Sequence, residues 1–451
     1  MGETHSTIVA CCTPRGAGAL ALIRISGPDA FSILQSIAQS SSHEKITAST
    51  SHTIVYGSVV AADSTIIDTV LFLIMRGPRT FTGDDTVEIT CHNNDLIIEK
   101  IIDRALAHGA RSAGPGAFTR RAVENGKMDL IQAEAIHELI AAQNEWALQQ
   151  SHAQLKGTLS HLLAEIEQKL ISVLAWSEAS FDFLDEGGGF APEIAAALRA
   201  LTEKIGHILA HEARMDRMRG GMRVALIGMV NAGKSSLFNA LLGSRRAIVS
   251  PHAGTTRDTI EAHIIEQGTR WTLIDTAGLR STDDIIEQEG ITRSYEEAAR
   301  ADIIILARPS DAPLSPEQEK LYQQIAVDYG EKIIAVKTKS DLGPSTSPEE
   351  IGVSAETGEN IEFLKKAISE RGALLTGSGK APYLLSQRQM YLLKATRQEL
   401  EKALSYCDAH AQYELISYHI NAALREISGM TGKSVSEAAM DAVFKEFCVG
   451  K

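Results

Sequence analysis

The segment Gly228-Met229-Val230-Asn231-Ala232-Gly233-Lys234-Ser235 fills every fixed position of the phosphate-loop pattern G-x-x-x-x-G-K-[ST]. Its flanks narrow the fold. Met222 to Ile227 reads as a buried strand, and Ser236 to Leu242 reads as the start of a helix. A strand feeding a glycine loop that opens a helix aims backbone N–H groups and a positive helix end at one point, which makes an anion site. Asn231, Ala232, Gly233, Lys234, Ser235 and Ser236 then surround the phosphates. Lys234 brings a cation to the β- and γ-phosphates, and the Ser235 hydroxyl can ligate Mg2+.

Downstream residues select the base. Leu273-Ile274-Asp275-Thr276-Ala277-Gly278 is an apolar strand running into D-x-x-G, where Asp275 can hold Mg2+ through water and the Gly278 N–H can meet the γ-phosphate. Gly254-Thr255-Thr256-Arg257-Asp258 supplies a threonine pair, one of which a switch loop needs to reach the metal. Ile333 to Lys337 reads as a strand ending at Thr338-Lys339-Ser340-Asp341, where a carboxylate can accept two hydrogen bonds from guanine N1 and N2. A short strand ends at Val353-Ser354-Ala355-Glu356, a backbone contact for the guanine O6. Five motifs in this order within one α/β stretch describe a GTPase domain.

Two positions depart from the usual pattern. The base-reading motif begins with Thr338 instead of asparagine, so only a hydroxyl is available to brace the phosphate loop. Leu279 follows D-x-x-G and cannot orient a water. By spacing, Asp283, Asp284, Glu287 and Glu289 are the nearest polar candidates, though an acidic loop is more often simply solvated.

The chain of 451 residues is long enough for two to four domains. Scattered Cys11, Cys12, Cys91, Cys407 and Cys448 have no zinc-site spacing, and no signal peptide or membrane-length apolar run is visible, so a cytoplasmic, reduced compartment is expected. A net charge of −13 means that any RNA contact must use a local patch. Upstream of the GTPase motifs, apolar residues recur at helical spacing from near Asp129 to Leu174 and again from Ile194 to Leu209; Tyr391 to Leu404 and Leu415 to Ile427 repeat the pattern downstream. Helices on both sides suggest one discontinuous bundle with the GTPase inserted. Strand-like runs at 54–60, 69–75 and 86–92, with helical stretches near 29–38 and 95–107, give residues 1–120 an α+β character.

The chain resembles the MnmE (TrmE) family of tRNA uridine-modification GTPases along its whole length. The resemblance rests on Leu22-Ile23-Arg24-Ile25-Ser26-Gly27, Phe81-Thr82-Gly83-Asp84-Asp85, Pro115-Gly116-Ala117-Phe118-Thr119, Asn125-Gly126-Lys127-Met128-Asp129-Leu130 and Phe447-Cys448-Val449-Gly450-Lys451. It implies a homodimer that works with a flavin-dependent MnmG partner. Together they would add an aminomethyl or carboxymethylaminomethyl group to C5 of the wobble uridine of certain tRNAs. It implies a tetrahydrofolate derivative, 5-formyl or methylene, bound by Arg24, Glu88, Lys127 and Lys451 as one-carbon donor. It also implies a K+ ion held by Asn231, Ser250, His252 and Thr255, with Glu287 orienting the attacking water. Asn93 and Asn94 stand where the family has two glycines, which puts the shape of that loop in question. Phe447 and Val449 are expected to bury as anchors that let Lys451 turn into the folate cleft, and Cys448 reads as a small buried thiol as readily as a catalytic one.

The resulting assignment is an α/β and α+β multidomain chain. Residues 1–120 form the folate-binding and dimerisation domain, 121–218 and 377–451 the two parts of the helical domain, and 219–376 a Ras-like P-loop GTPase. Catalysis falls to Glu287, Lys234 and Asn231, and Mg2+ to Ser235 and Thr256. GTP or GDP is bound by residues 231–236 with Ser250, Thr255, Thr256, Asp275, Thr276, Ala277, Gly278, Thr338, Lys339, Asp341, Ser354, Ala355 and Glu356. The alternative is an RNA-associated regulatory GTPase of ribosome assembly, without modification chemistry.

Overall fold

Alternation of apolar and polar residues in the first hundred positions builds a half-covered sheet. The computed structural model describes residues 6–451 except 17, 41–48, 143–144, 183–189, 220–221, 230, 244–247, 250–259, 267–268, 276–295, 344–349, 377–382, 384 and 408–411. The N-terminal strands are β1 (Ile8–Cys11), β2 (Leu20–Ser26), β3 (Ala38–Ser40), β4 (Thr53–Val60), β5 (Ile66–Met75), β6 (Thr86–His92) and β7 (Arg111–Ser112), ordered β3-β4-β5-β6-β2-β1-β7. Helices α1 (Ala30–Ile37) and α2 (Asp95–Ala107) cover one face, packing Ile33, Leu34, Ile98 and Ile101 on Ile23, Ile25, Phe72 and Ile89. Because side chains alternate along a strand, Arg24 and Glu88 point to the opposite face, where β2–β6 pairing sets them side by side. Asn94 caps α2 by accepting from Leu96 N and Ile97 N, and Asn93 donates to the Pro14 carbonyl at 3.3 Å. Asn93 and Asn94 thus fasten the β1–β2 loop and the helix start.

A short helix α3 (Ala117–Glu124) follows, then α4 (Leu130–Ala141), α5 (Glu145–Leu155), α6 (Thr158–Asp182) and α7 (Ala191–Arg219). The periodic run from Asp129 to Leu174 is therefore divided among α4, α5 and the first part of α6.

The phosphate-loop region is a seven-stranded sheet: β8 (Met222–Ile227), β9 (Ile248–Val249), β10 (Ile260–Glu266), β11 (Thr269–Asp275), β12 (Ile303–Pro309), β13 (Ile333–Thr338) and β14 (Ile351–Val353). The order is β14-β13-β12-β8-β11-β10-β9, with β8, β11, β12, β13 and β14 parallel. Its helices are α8 (Lys234–Leu242), α9 (Pro316–Tyr329) and α10 (Ile361–Thr376). β8 and β12 are central and almost wholly apolar, as parallel strands covered on both faces must be. The carboxyl ends of these parallel strands lie along one edge, where an open α/β sheet binds ligands.

The chain ends in α11 (Gln387–Ser405), α12 (Tyr413–Thr431) and α13 (Glu437–Phe444). α12 packs against both α6 and α11, and Ser177 donates to the Tyr413 carbonyl at 3.1 Å. Glu134 receives the Arg388 guanidinium at 2.8 and 3.0 Å, tying α4 to the start of α11. The chain divides into two compact units. One comprises Met1–His137, Gln154–Glu203 and Ser386–Lys451, and the other Glu138–Ala153 and Lys204–Leu385. No helix among the described residues is long and apolar enough to cross a membrane.

Candidate functional site

The loop after β8 has the geometry of an anion cradle. Gly228 approaches β12 so closely that a Cβ there would lie 2.5 Å from the Ala307 carbonyl oxygen, which accounts for the glycine. Asn231 and Gly233 take left-handed backbone angles, φ 62 and 77, that turn the loop into the start of α8. Lys234 is 7% exposed, and its Nζ donates to the Gly228 and Met229 carbonyls at 2.6 and 2.8 Å. Burial pushes the Lys234 ammonium below its ordinary range, and the nearby Asp275 offsets only part of this. Ser235 Oγ donates to Asp275 Oδ2 at 2.9 Å, so a hydroxyl and a carboxylate converge where Mg2+ ligands are required.

Thr338 is buried at the end of β13, and its hydroxyl donates to the Ala232 carbonyl at 2.7 Å, with the Arg308 carbonyl 3.1 Å away. The brace that asparagine would provide is here a hydroxyl. Lys339 (φ 57) pairs with Asp311 at 2.6 Å, and Asp341 is exposed on the loop beyond. Ser340 N donates to the Val353 carbonyl at 3.1 Å, joining that loop to β14. Buried Ser354 receives Thr357 N at 3.2 Å, which shapes the turn carrying Ala355 and exposed Glu356. Ser236 lies on the first turn of α8. Ser250, His252, Thr255, Thr256, Thr276, Ala277, Gly278 and Glu287 lie outside the described residues.

A second cluster gathers on the open face of the N-terminal sheet. Arg24 Nε donates to Glu88 Oε1 at 2.8 Å, and both side chains are 15% exposed. The guanidinium stands 5.5 Å from the Phe81 ring centre and 5.2 Å from that of Phe118. Phe118 N donates to the Lys451 carbonyl at 3.0 Å, and Pro115 forms a β-bridge with Val449. Lys127 Nζ donates to the Pro78 carbonyl at 2.8 Å, on the loop that carries Phe81. Arg24, paired with Glu88, thus faces Phe118 and Phe81; Lys451 meets Phe118 through its backbone carbonyl, and Lys127 bonds the loop that carries Phe81. Cys12 lies among them: burial raises its thiol pKa, Arg24 and Lys451 lower it, and Glu88 raises it.

The chain has known relatives over its whole length. Its N-terminal part, residues 7–127, matches the family described as GTP-binding protein TrmE N-terminus, and residues 130–448 match the MnmE helical domain. It is 35% identical over 463 residues to the tRNA modification GTPase MnmE of Symbiobacterium thermophilum, with 100% of both chains covered. The chain belongs to the MnmE family of tRNA modification GTPases. The MnmE of Thermotoga maritima is likewise 35% identical, over 456 residues covering 99% of this chain and 100% of that one. Among solved structures, the chain is similar to the G domain of the T. maritima FeoB iron transporter. That likeness has 30% identity, 34% coverage of this chain, 98% of that chain and a TM-score of 0.27.

Within this MnmE-family chain, two expectations about the last residues change. Phe447 is buried, packing with Phe444 and Leu130, but Val449 is 54% exposed and Cys448 is exposed. Val449 is held through its backbone by the bridge to Pro115, so its side chain is free to face outward. The aromatic walls Phe81 and Phe118 and the buried Tyr322 behind the phosphate loop have no sequence-level reading as site residues, because an isolated aromatic reads as core.

Proposed function

We propose that this MnmE-family GTPase hydrolyses GTP to drive modification of tRNA. With a flavin-dependent MnmG-type partner it adds a carboxymethylaminomethyl or aminomethyl group to C5 of the wobble uridine. The observation that carries the modification reading is the Phe118–Lys451 backbone bond beside the Arg24–Glu88 pair. It brings cations, a carboxylate and two aromatic faces together in a half-buried setting. Arg24, Lys127 and Lys451 suit the glutamate carboxylates of a tetrahydrofolate, Glu88 suits the amine and ring N–H of a pterin, and Phe81 and Phe118 suit its flat ring. A folate bound there supplies the one-carbon unit.

The same face supports a homodimer. Cross-strand register aligns Ile54, Leu73, Glu88 and Arg24 in one row across β4, β5, β6 and β2. Ile54, Tyr56 and Leu71 are 65%, 60% and 41% exposed beside that row, an apolar surface suited to a second copy of the chain.

In the GTPase unit, Lys234 and the loop amides bind the phosphates, Asp341 reads guanine, and Ser235 with Thr256 would hold Mg2+. Asn231, with Ser250, His252 and Thr255, would hold K+, which spreads positive charge between the β- and γ-phosphates. Glu287 orients the attacking water. The chain acts in the cytoplasm, where tRNA is available. Calorimetry with 5-formyltetrahydrofolate, paired with nucleoside analysis of tRNA from cells lacking this chain, tests the reading. Saturable binding abolished by Arg24→Ala, and loss of the modified uridine, are expected. No folate binding together with unaltered tRNA would favour the ribosome-assembly switch.

A further inference from the structure

Behind the phosphate loop, two hydroxyls link it to consecutive residues of β12. Tyr322, 1% exposed on α9, donates its phenolic proton to the Ala307 carbonyl at 2.6 Å and accepts from Met229 N at 3.1 Å. Thr338 donates to Ala232 at the far side of the loop and lies 3.1 Å from the carbonyl of Arg308, next in the strand. Arg308 lies 4.8 Å over the Tyr322 ring and pairs with Glu319 at 3.3 Å, so a held guanidinium covers one face of the ring. Burial raises the Tyr322 pKa, which keeps the phenol a neutral donor. The peptide whose Met229 N–H meets Tyr322 carries the Gly228 carbonyl, which receives Lys234 Nζ at 2.6 Å.

We propose that Tyr322 and Thr338 form a two-hydroxyl clamp that fixes the phosphate loop against β12, with Tyr322 a positioning residue for Lys234. The proposal rests on the GTPase reading and adds to it a residue that no nucleotide motif contains. The Met229 N–H precedes the amides that face phosphate, so Tyr322 acts through the loop and not on the ligand. Without its hydroxyl, the Met229 N–H and the Ala307 carbonyl each lose a buried partner. The Gly228 carbonyl in the same peptide is then no longer fixed, and Lys234 loses its aim at the β-phosphate. Base recognition at Asp341 is untouched.

The test is competition of GDP and GMP against a fluorescent GDP analogue. Only GDP carries the phosphate that Lys234 meets. Tyr322→Phe and Thr338→Val should each lower the preference for GDP over GMP about tenfold, as loss of a buried hydrogen bond requires. Thr338→Ser, which keeps the hydroxyl, should retain that preference. An unchanged preference in both hydroxyl-deleted proteins, or equal losses for GDP and GMP, overturns the clamp. A wild-type chain that binds neither nucleotide would sink the GTPase reading and the clamp with it.

Discussion

Gly450 lies against Cys12: a Cβ on the glycine would come 2.5 Å from Cys12 Cα and 2.7 Å from the Cys11 carbonyl oxygen. Its φ of 93 adds a backbone conformation that side-chain-bearing residues rarely adopt. Only glycine lets the tail cross the end of β1 and deliver Lys451 to Phe118. Gly450→Ala is therefore expected to displace the tail and weaken 5-formyltetrahydrofolate binding at least tenfold, from about 1–2 kcal/mol of left-handed strain plus the clash. Basal GTP hydrolysis should stay within about twofold, since the phosphate loop belongs to the other compact unit. Calorimetry and a phosphate-release assay decide this. Undiminished folate affinity would remove Lys451 from the site.

Guanine selection is expected to rest on Asp341. Its exposed position after the Lys339 turn leaves the carboxylate open to the base edge. Asp341→Asn replaces one acceptor by a donor facing N1–H and N2–H. It should cost about 2–4 kcal/mol of GTP affinity, the scale of lost charge-assisted bonds, while xanthosine triphosphate binds better than GTP. Equilibrium titration with both nucleotides checks this, and unaltered GTP affinity speaks against the assignment.

Hydrolysis is expected to need K+ and the Glu287 carboxylate. Na+ is too small for oxygen ligands spaced for K+, so exchanging the salts should slow turnover strongly. Glu287→Ala should lower kcat by about 100-fold, the scale of a positioned general base, with nucleotide affinity kept. Steady-state kinetics in each salt separate the halves of the mechanism. Equal rates in K+ and Na+ reject the cation, and a fully active Glu287→Ala protein rejects the carboxylate.

The phosphate loop, β8, β13 and α2 were legible in the sequence because local pattern alone specifies them. Short-range glycines mark the loop, and apolar runs mark buried strands. β12 is less legible: Ile303 to Leu306 is as apolar as β8, but no motif follows it, and a short apolar run alone does not separate a buried strand from a buried helix segment. β1 is four residues long and apolar throughout, too short for a period to show, while β2 breaks its apolar run with a half-buried Arg24 that only the sheet explains. The aromatic neighbours of Arg24 were beyond reach for a different reason. Phe81 lies 57 positions from Arg24 in the sequence (81 − 24), and Phe118 lies 94 away (118 − 24); only the sheet register and α3 bring them together. The Tyr322–Met229 contact likewise depends on where α9 crosses behind β12.

Nucleotide binding is expected to take up a proton at alkaline pH. The ordinary value for lysine is 10.5, and burial lowers that of Lys234 in the empty protein. Between the lowered value and 10.5 the unfolded chain binds more protons than the folded one, so the empty fold gains stability as pH rises through that window. A polyphosphate placed on Lys234 favours the ammonium again and reverses the shift. GDP binding should then draw a proton from solution within the window and weaken as pH rises through it, with little uptake well below it. Calorimetry in buffers of different ionisation enthalpy counts that proton. Guanine N1–H also titrates in alkali, and Lys234→Arg, whose guanidinium stays charged, retains that contribution alone. The difference between the two proteins is the Lys234 proton. Identical uptake by both would mean that Lys234 is fully charged in the empty loop.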